Sequence, residues 1–442
     1  MAVSESPAPK RQWSSRSAFL MASIGAAVGL GNLWRFPFQA GENGGSAFVF
    51  VYLLCVVIVV YPAMMGELAV GRRKGLSAVG STRELAKDAG KSPLWGIVGL
   101  VGVSASYFVL TIYGVIAGKI MAYSLMAFTG AFATGGAGGE SIIYAGPVQA
   151  VFWQTLFMGL TIAIVARGLH GGIERFTFLL MPAFFVLLAG LCVYALVTGA
   201  ASDAINYLFA PRFSEITPQV VLAAFGQAFF SVAVGGGVML TYGAFLSKDE
   251  DIAGNGIIIA GADTLVAIVA GLMIFPVVFA FGLDPATGMG LIFSAMPASF
   301  ATMPFGSIIG GIFFFLAFIA ALTSSISMLL LASVVSEEQL GLGRRQSVFV
   351  FGAIAWAIGA ASIIIPHLSE WIDFFAGQIA MPIGGILVAV FAGWVAPRAV
   401  MRSELSGLSD FFFRLWRLIV RYVAPIGVTL VLVLGLKAHF GW

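Results

Sequence analysis

Ala26-Ala27-Val28-Gly29-Leu30-Gly31-Asn32-Leu33-Trp34-Arg35-Phe36-Pro37 lies within the first long apolar run of the chain. A membrane-crossing helix takes about 20 mostly apolar residues, and the run over residues 17–40 is long enough. Yet each glycine disfavours a helix interior by about 1 kcal/mol, and polar groups such as those of Asn32 and Arg35 are costly in hydrocarbon. The stretch reads as a membrane helix broken near its middle. The sixth apolar run carries a second break, Ser231-Val232-Ala233-Val234-Gly235-Gly236-Gly237. Unwound backbone at membrane depth persists only where protein buries it or where it lines a wet cavity. Close packing through small residues is the other use of such glycines. Two breaks five spans apart favour the first use, because they match inverted-repeat carriers whose broken helices build a site near the midplane.

The remainder of the chain agrees with a membrane protein. Its 442 residues are 60% hydrophobic and 10% charged, with a mean hydropathy of +1.01. Soluble domains carry roughly a quarter charged residues, so a soluble enzyme, a nucleic-acid binder and a disordered scaffold are excluded. About eleven spans are expected, in the windows 17–40, 46–71, 93–126, 147–166, 173–199, 217–246, 253–282, 305–336, 346–365, 371–396 and 412–437. The first is not a cleaved signal, because no small-residue cleavage site closes a short apolar core. Placing the N-terminus in the cytoplasm puts Lys10, Arg11, Arg16, the Arg72-Arg73-Lys74 run and most other basic residues inside, as cytoplasmic loops prefer. The C-terminus then ends outside, and the Gly- and Ala-rich segment 128–146 is an outer loop. Cys55 and Cys192 sit in apolar runs, which argues against a disulfide framework or metal cluster. His170, His367 and His439 are scattered at loops and ends. No GxxxxGK[ST] motif supports ATP-driven transport, and no nucleophile–base pair suggests an enzyme.

With Glu42-Asn43-Gly44-Gly45-Ser46-Ala47-Phe48 following it, the first-span motif closely resembles the first-helix signature of neurotransmitter:sodium symporters. Gly226-Gln227-Ala228-Phe229-Phe230-Ser231 resembles that family's sixth helix, Ala262-Asp263-Thr264 with Gly271 its seventh, and Leu322-Thr323-Ser324-Ser325 its eighth. Eleven spans are typical of its prokaryotic members. The resemblance implies an all-α integral membrane protein with a five-plus-five inverted repeat and broken helices 1 and 6. One transporter domain would fill 1–442: repeat one over about 10–200, repeat two over about 215–397, and an extra C-terminal helix over about 411–438.

The implied function is sodium-coupled import of amino acids across the inner (plasma) membrane. The alternatives are a proton-coupled permease of the same architecture, with Asp263 or Glu67 titrating, and a non-transporting amino-acid sensor. By resemblance, sodium site 1 uses Ala27, Asn32, Ser231 and Asp263. Site 2 uses Gly25, Val28, Ala320, Thr323 and Ser324. Gly29 stands where amine-transporting relatives carry an aspartate, so the substrate brings its own carboxylate, to be met by Tyr113 and the amides of Leu30 and Gly31. Its ammonium would face carbonyls around Ala26, Phe230 and Ser231. Val109, Phe230, Ala233, Gly236 and Met328 would line the side-chain pocket, which contains no charge and so favours a hydrophobic substrate, with room for a large or aromatic one. Lys119 replaces the family's usual tryptophan. Arg35 and Asp373 match the outer charged pair. Lys10 or Arg11 with Trp13 resembles the inner latch, with Glu338 as its acid. Glu67 is expected to brace the broken first helix, and the Gly172–Pro182 spacing resembles that used by relatives to unwind the fifth. Chloride is not expected, because Asp263 and Ala267 replace the neutral asparagine and the serine of chloride-dependent relatives.

Overall fold

The computed structural model describes residues 12–132, 144, 146–286 and 290–441, without the side chains of residues 438 and 439. Lys10, Arg11, the side chain of His439 and most of the expected outer loop 128–146 lie outside the described residues. All regular structure among the described residues is helical.

Nine helices there are long and apolar enough to cross a membrane: Ser46–Lys74, Pro93–Phe128, Gly146–Ala166, Leu169–Thr198, Ile252–Ala280, Gly306–Leu340, Arg344–Ile364, Leu368–Val395 and Asp410–Lys437. The first span is the pair Arg16–Ala27 and Gly31–Glu42, bent by 47° at its break, which makes ten. The sixth is Pro218–Ser231 and Val238–Ala244, whose halves of 14 and 7 residues are each too short to cross alone. Counting it completes the eleven expected spans. Short helices that are not uniformly apolar join them: Ala78–Asp88, Ala201–Phe209 and Arg398–Glu404, with Leu291–Thr302 as a short apolar one.

The third and eighth spans pack along each other most extensively. The most apolar stretch of the eighth is 83% buried, against 17% for the eleventh, which puts the eighth at the centre and the eleventh at the rim. Exposed apolar side chains elsewhere, such as Val57, Val186 and Val197, suit a molecule whose solvent is lipid. The two broken spans therefore meet at the centre, beside the third and eighth, where bilayer lipid cannot reach.

Candidate functional site

A broken helix frees backbone amides, and buried amides need partners. At the first break, Val28 still donates to Ile24 O at 2.7 Å. The next two amides leave the ladder: Gly29 N donates to Asn32 Oδ1 at 3.0 Å, and Leu30 N to the Tyr113 hydroxyl at 3.3 Å. Beyond it the helix resumes through a widened π turn, Gly31–Arg35. The sixth span breaks after Ser231, where Ala233, Gly235 and Gly237 take φ values of 53°, 85° and 74°. A left-handed backbone costs alanine energy that glycine does not pay, and it turns the Gly235 amide out of the helix. Glu67 Oε1 accepts that amide at 2.8 Å, and Ser106 Oγ donates to Gly236 O at 2.7 Å. The expectation for Glu67 needs correction: it braces the sixth helix, since Asn32 and Tyr113 already take the amides freed in the first.

Between the breaks lies a buried polar knot. Asn32 Nδ2 donates to Ser231 Oγ at 3.1 Å, to Asp263 O at 2.9 Å and to Asp263 Oδ1 at 2.8 Å. Ser231 Oγ donates to Asp263 Oδ2 at 2.7 Å. Asn32 and Asp263 are both fully buried, and Ala27 ends the half-helix beside them. Carboxylate and hydroxyl oxygens of the seventh and sixth spans thus meet the amide group of the first, whose Oδ1 is turned to Gly29 N, and oxygen ligands of this kind suit a hard cation. On the other side of the first span, Ser324 Oγ reaches the carbonyls of Ala26 at 3.5 Å and Val28 at 3.4 Å. Thr323 Oγ1 donates to Ala320 O at 3.1 Å, and a Cβ on Gly25 would lie 3.2 Å from Thr323 Cβ. All five residues named for a second ion site are brought together, again with oxygen donors only.

Of the residues named for the substrate, Tyr113 and Phe230 stand against the Gly29–Gly31 stretch. A Cβ on Gly29 would stand 2.7 Å from Ser324 Oγ and 3.1 Å from the Tyr113 hydroxyl, so any larger side chain would have to displace one or both. A Cβ on Gly31 would touch the Phe230 ring at 3.3 Å, and Gly31 O accepts from Gln227 Nε2 at 3.0 Å, a residue the sequence reading gave no role. Ala26, Leu30, Val109 and Tyr113 are buried, while Phe230, Ala233 and Met328 are half-buried. Gly236 differs from expectation: a side chain there would first meet Ser106 Oγ and Ala233 O, because the turn aims it at the third span.

Arg35 stacks over Phe230, its Cζ 4.2 Å from the ring centre, and feels Asp373 electrostatically without closing to a direct ion pair. At the opposite end, Trp13 Nε1 donates to Tyr242 O at 3.1 Å and Trp13 N to Phe245 O at 3.0 Å. Its neighbour Ser14 donates through N and Oγ to Glu174 at 2.9 and 2.7 Å. Glu338 is engaged elsewhere, accepting from Ser77 N at 2.6 Å and Ser77 Oγ at 2.8 Å. In the described part of the N-terminal segment, Ser14 is held by Glu174, which follows Gly172 in a π turn over Leu169–Glu174, and Arg16 lies 3.6 Å from Glu250. Lys119 lies over aromatic rings, 4.6 Å from the Phe293 centre and 5.4 Å from that of Tyr123.

The model of the sodium:neurotransmitter symporter family matches residues 10–138 and 137–440. The chain is similar to the uncharacterized sodium-dependent transporter YhdH of Bacillus subtilis, at 34% identity over 95% of this chain and 96% of that protein. An uncharacterized sodium-dependent transporter of Haemophilus influenzae is 29% identical over 97% of this chain and 98% of its own length. Among solved structures, the crystal structure of MhsT in complex with L-phenylalanine is similar with a TM-score of 0.87 and 40% identity, over 96% of this chain and 99% of that one.

Proposed function

The chain belongs to the sodium:neurotransmitter symporter family, and from that membership we propose that it imports hydrophobic amino acids, including large or aromatic ones, together with sodium. The observation that carries this reading is the Asn32–Ser231–Asp263 knot joining the two broken helices. A cation seated among these oxygens ties the halves of both helices into one geometry. The substrate carboxylate joins it there and takes the Leu30 amide, which the Tyr113 hydroxyl accepts in the structure. The ammonium faces carbonyls around Ala26, Phe230 and Ser231, and the apolar side chain points among Val109, Phe230, Ala233 and Met328. A second sodium, held by Gly25, Val28, Ala320, Thr323 and Ser324, fastens the moving first span to the central eighth. Its loss at the inner face frees the first span to tilt and release the cargo. Arg35, Asp373 and Phe230 close the outer side, and Trp13 with the N-terminal segment closes the inner. The similarity to a structure holding L-phenylalanine supports the substrate class. The basic-residue distribution supports an N-terminus in the cytoplasm and a C-terminus outside.

The test is uptake of a panel of radiolabelled amino acids into proteoliposomes, with sodium or choline outside at fixed pH. Sodium-driven accumulation of hydrophobic amino acids is expected. Accumulation that persists in choline but follows a pH gradient would instead assign the coupling to a proton on the buried Asp263 or Glu67. Ligand binding without accumulation would make the chain a sensor.

A further inference from the structure

Five arginines crowd the junction of the tenth and eleventh spans: Arg398, Arg402, Arg414, Arg417 and Arg421. Acids are scarce there. Asp410 pairs with Arg402 at 3.0 Å, and Glu404 is taken by Arg72 at 2.7 Å and Arg73 at 3.6 Å. Arg414 donates to the Asp410 carbonyl at 3.2 Å, and Arg421 to the Gly393 carbonyl at 2.6 Å. Arg398 and Arg417 make no hydrogen bond or ion pair with any described residue, and Arg417 lies within electrostatic range of both Arg398 and Arg421. Three like charges thus lie within electrostatic range, and no ion pair with a described carboxylate offsets Arg398 or Arg417.

The surroundings are shaped for a particular counter-ion. An open groove with about 590 Å³ of empty space is lined by Arg398, Arg402, Asp410, Phe413 and Arg414. Helix Asp410–Leu418 carries Arg414 and Arg417 three residues apart, with Arg421 one turn on. Alongside them Phe411, Phe412, Leu415 and Leu418 are exposed, by 65%, 57%, 42% and 53%. Trp394 and Tyr422, both exposed, pack edge to face at 5.4 Å, as aromatic side chains do at a membrane interface. The excess of basic residues at one membrane face accounts for the number of arginines here, but not for two left without an acceptor beside an apolar face.

We propose that this groove holds the headgroup of an anionic phospholipid, its phosphate at Arg398, which lines the groove and lies within electrostatic range of Arg417, and its acyl chains along Phe411, Leu415 and Leu418. Basic pockets between membrane helices take such headgroups, and a guanidinium matches phosphate in both charge and geometry. The exposed apolar side chains select a lipid over a free anion, which would leave them uncovered.

Native mass spectrometry of the full-length protein, titrated with phosphatidylglycerol, phosphatidylcholine or inorganic phosphate, tests this. One tightly held phosphatidylglycerol is expected, and phosphatidylcholine should compete poorly. Affinity should fall about fivefold in Arg398→Gln and about 25-fold in Arg398→Gln/Arg417→Gln, while Arg175→Gln, at an exposed arginine elsewhere, leaves it unchanged. Arg398 is exposed, so its single variant remains informative if the double variant folds poorly. Equal phosphatidylglycerol binding by wild type and Arg398→Gln, equal binding of the zwitterionic lipid, or displacement by inorganic phosphate alone would each overturn the proposal.

Discussion

Asp263 brings the carboxyl group of the polar knot, and its replacement separates charge from shape. A unit charge about 4 Å from a cation contributes on the order of 4 kcal/mol at an effective dielectric of about 20. Asp263→Asn should therefore raise the sodium concentration for half-maximal uptake by at least about tenfold, measured from initial rates across a sodium titration. Wild-type rates should be the same in chloride and gluconate, and Asp263→Asn/Ala267→Ser should recover activity only in chloride. A wild-type rate that collapses in gluconate would place an anion beside sodium after all. Gly29→Ala should lower uptake, since its Cβ displaces Ser324 Oγ and the Tyr113 hydroxyl; the check is sodium-driven uptake beside an unchanged elution profile. Thr323→Ala/Ser324→Ala should likewise remove sodium-driven uptake while leaving the protein folded. Gly29, Asn32, Asp263 and the Thr323–Ser324 pair were readable from the chain because each is a polar or glycine exception within an apolar run. Gln227 and Glu174 were not, since nothing local marks the backbone or side chain each one meets.

The broken spans are positioned by their unbroken neighbours. Glu67 of the second span holds Gly235 N, Ser106 of the third holds Gly236 O, and Tyr113 of the third takes Leu30 N. An unsatisfied buried amide costs about 1–3 kcal/mol. Glu67→Leu should thus lower thermal stability in detergent by a difference of that order, and Glu67→Gln, which still offers an acceptor to Gly235, should lose little. An equal loss in both variants would show that the carboxylate charge, not the hydrogen bond, is what the sixth span needs. The breaks themselves were visible as glycine clusters, but the direction in which each freed amide points depends on local φ values. That is why Glu67 was expected on the first helix and is found on the sixth. The short helices 78–88 and 201–209 escaped notice for another reason: neither is long and uniformly apolar, the property by which spans are recognised.

Across the whole molecule, the chain end is tied to the middle by contacts between distant segments. Buried Arg72 pairs with Glu404 and donates to the Glu250 carbonyl, joining the second span, the loop after the sixth and the turn after the tenth. Removing one partner of a buried pair costs about 3–5 kcal/mol, because the other charge is left uncompensated. Arg72→Ala is expected to be among the most destabilising single changes, with Glu404→Gln milder, as read by unfolding temperature and yield of monodisperse protein. Such a pair, 332 positions apart, has no signature in the local pattern of the sequence, whereas the eleven spans, each defined by its own run of side chains, could be placed within a few residues. The division of labour at the two breaks has a kinetic consequence. No helical ladder has to melt for the half-helices to pivot, because their free amides and carbonyls are held by side chains: Asn32 within the first span, and Tyr113, Ser106 and Glu67 on its neighbours. Each of these holds contributes about 1 kcal/mol and can be exchanged singly. The activation enthalpy of turnover should therefore be modest, and an Arrhenius plot of uptake should be shallow compared with that of a process that unwinds a membrane helix.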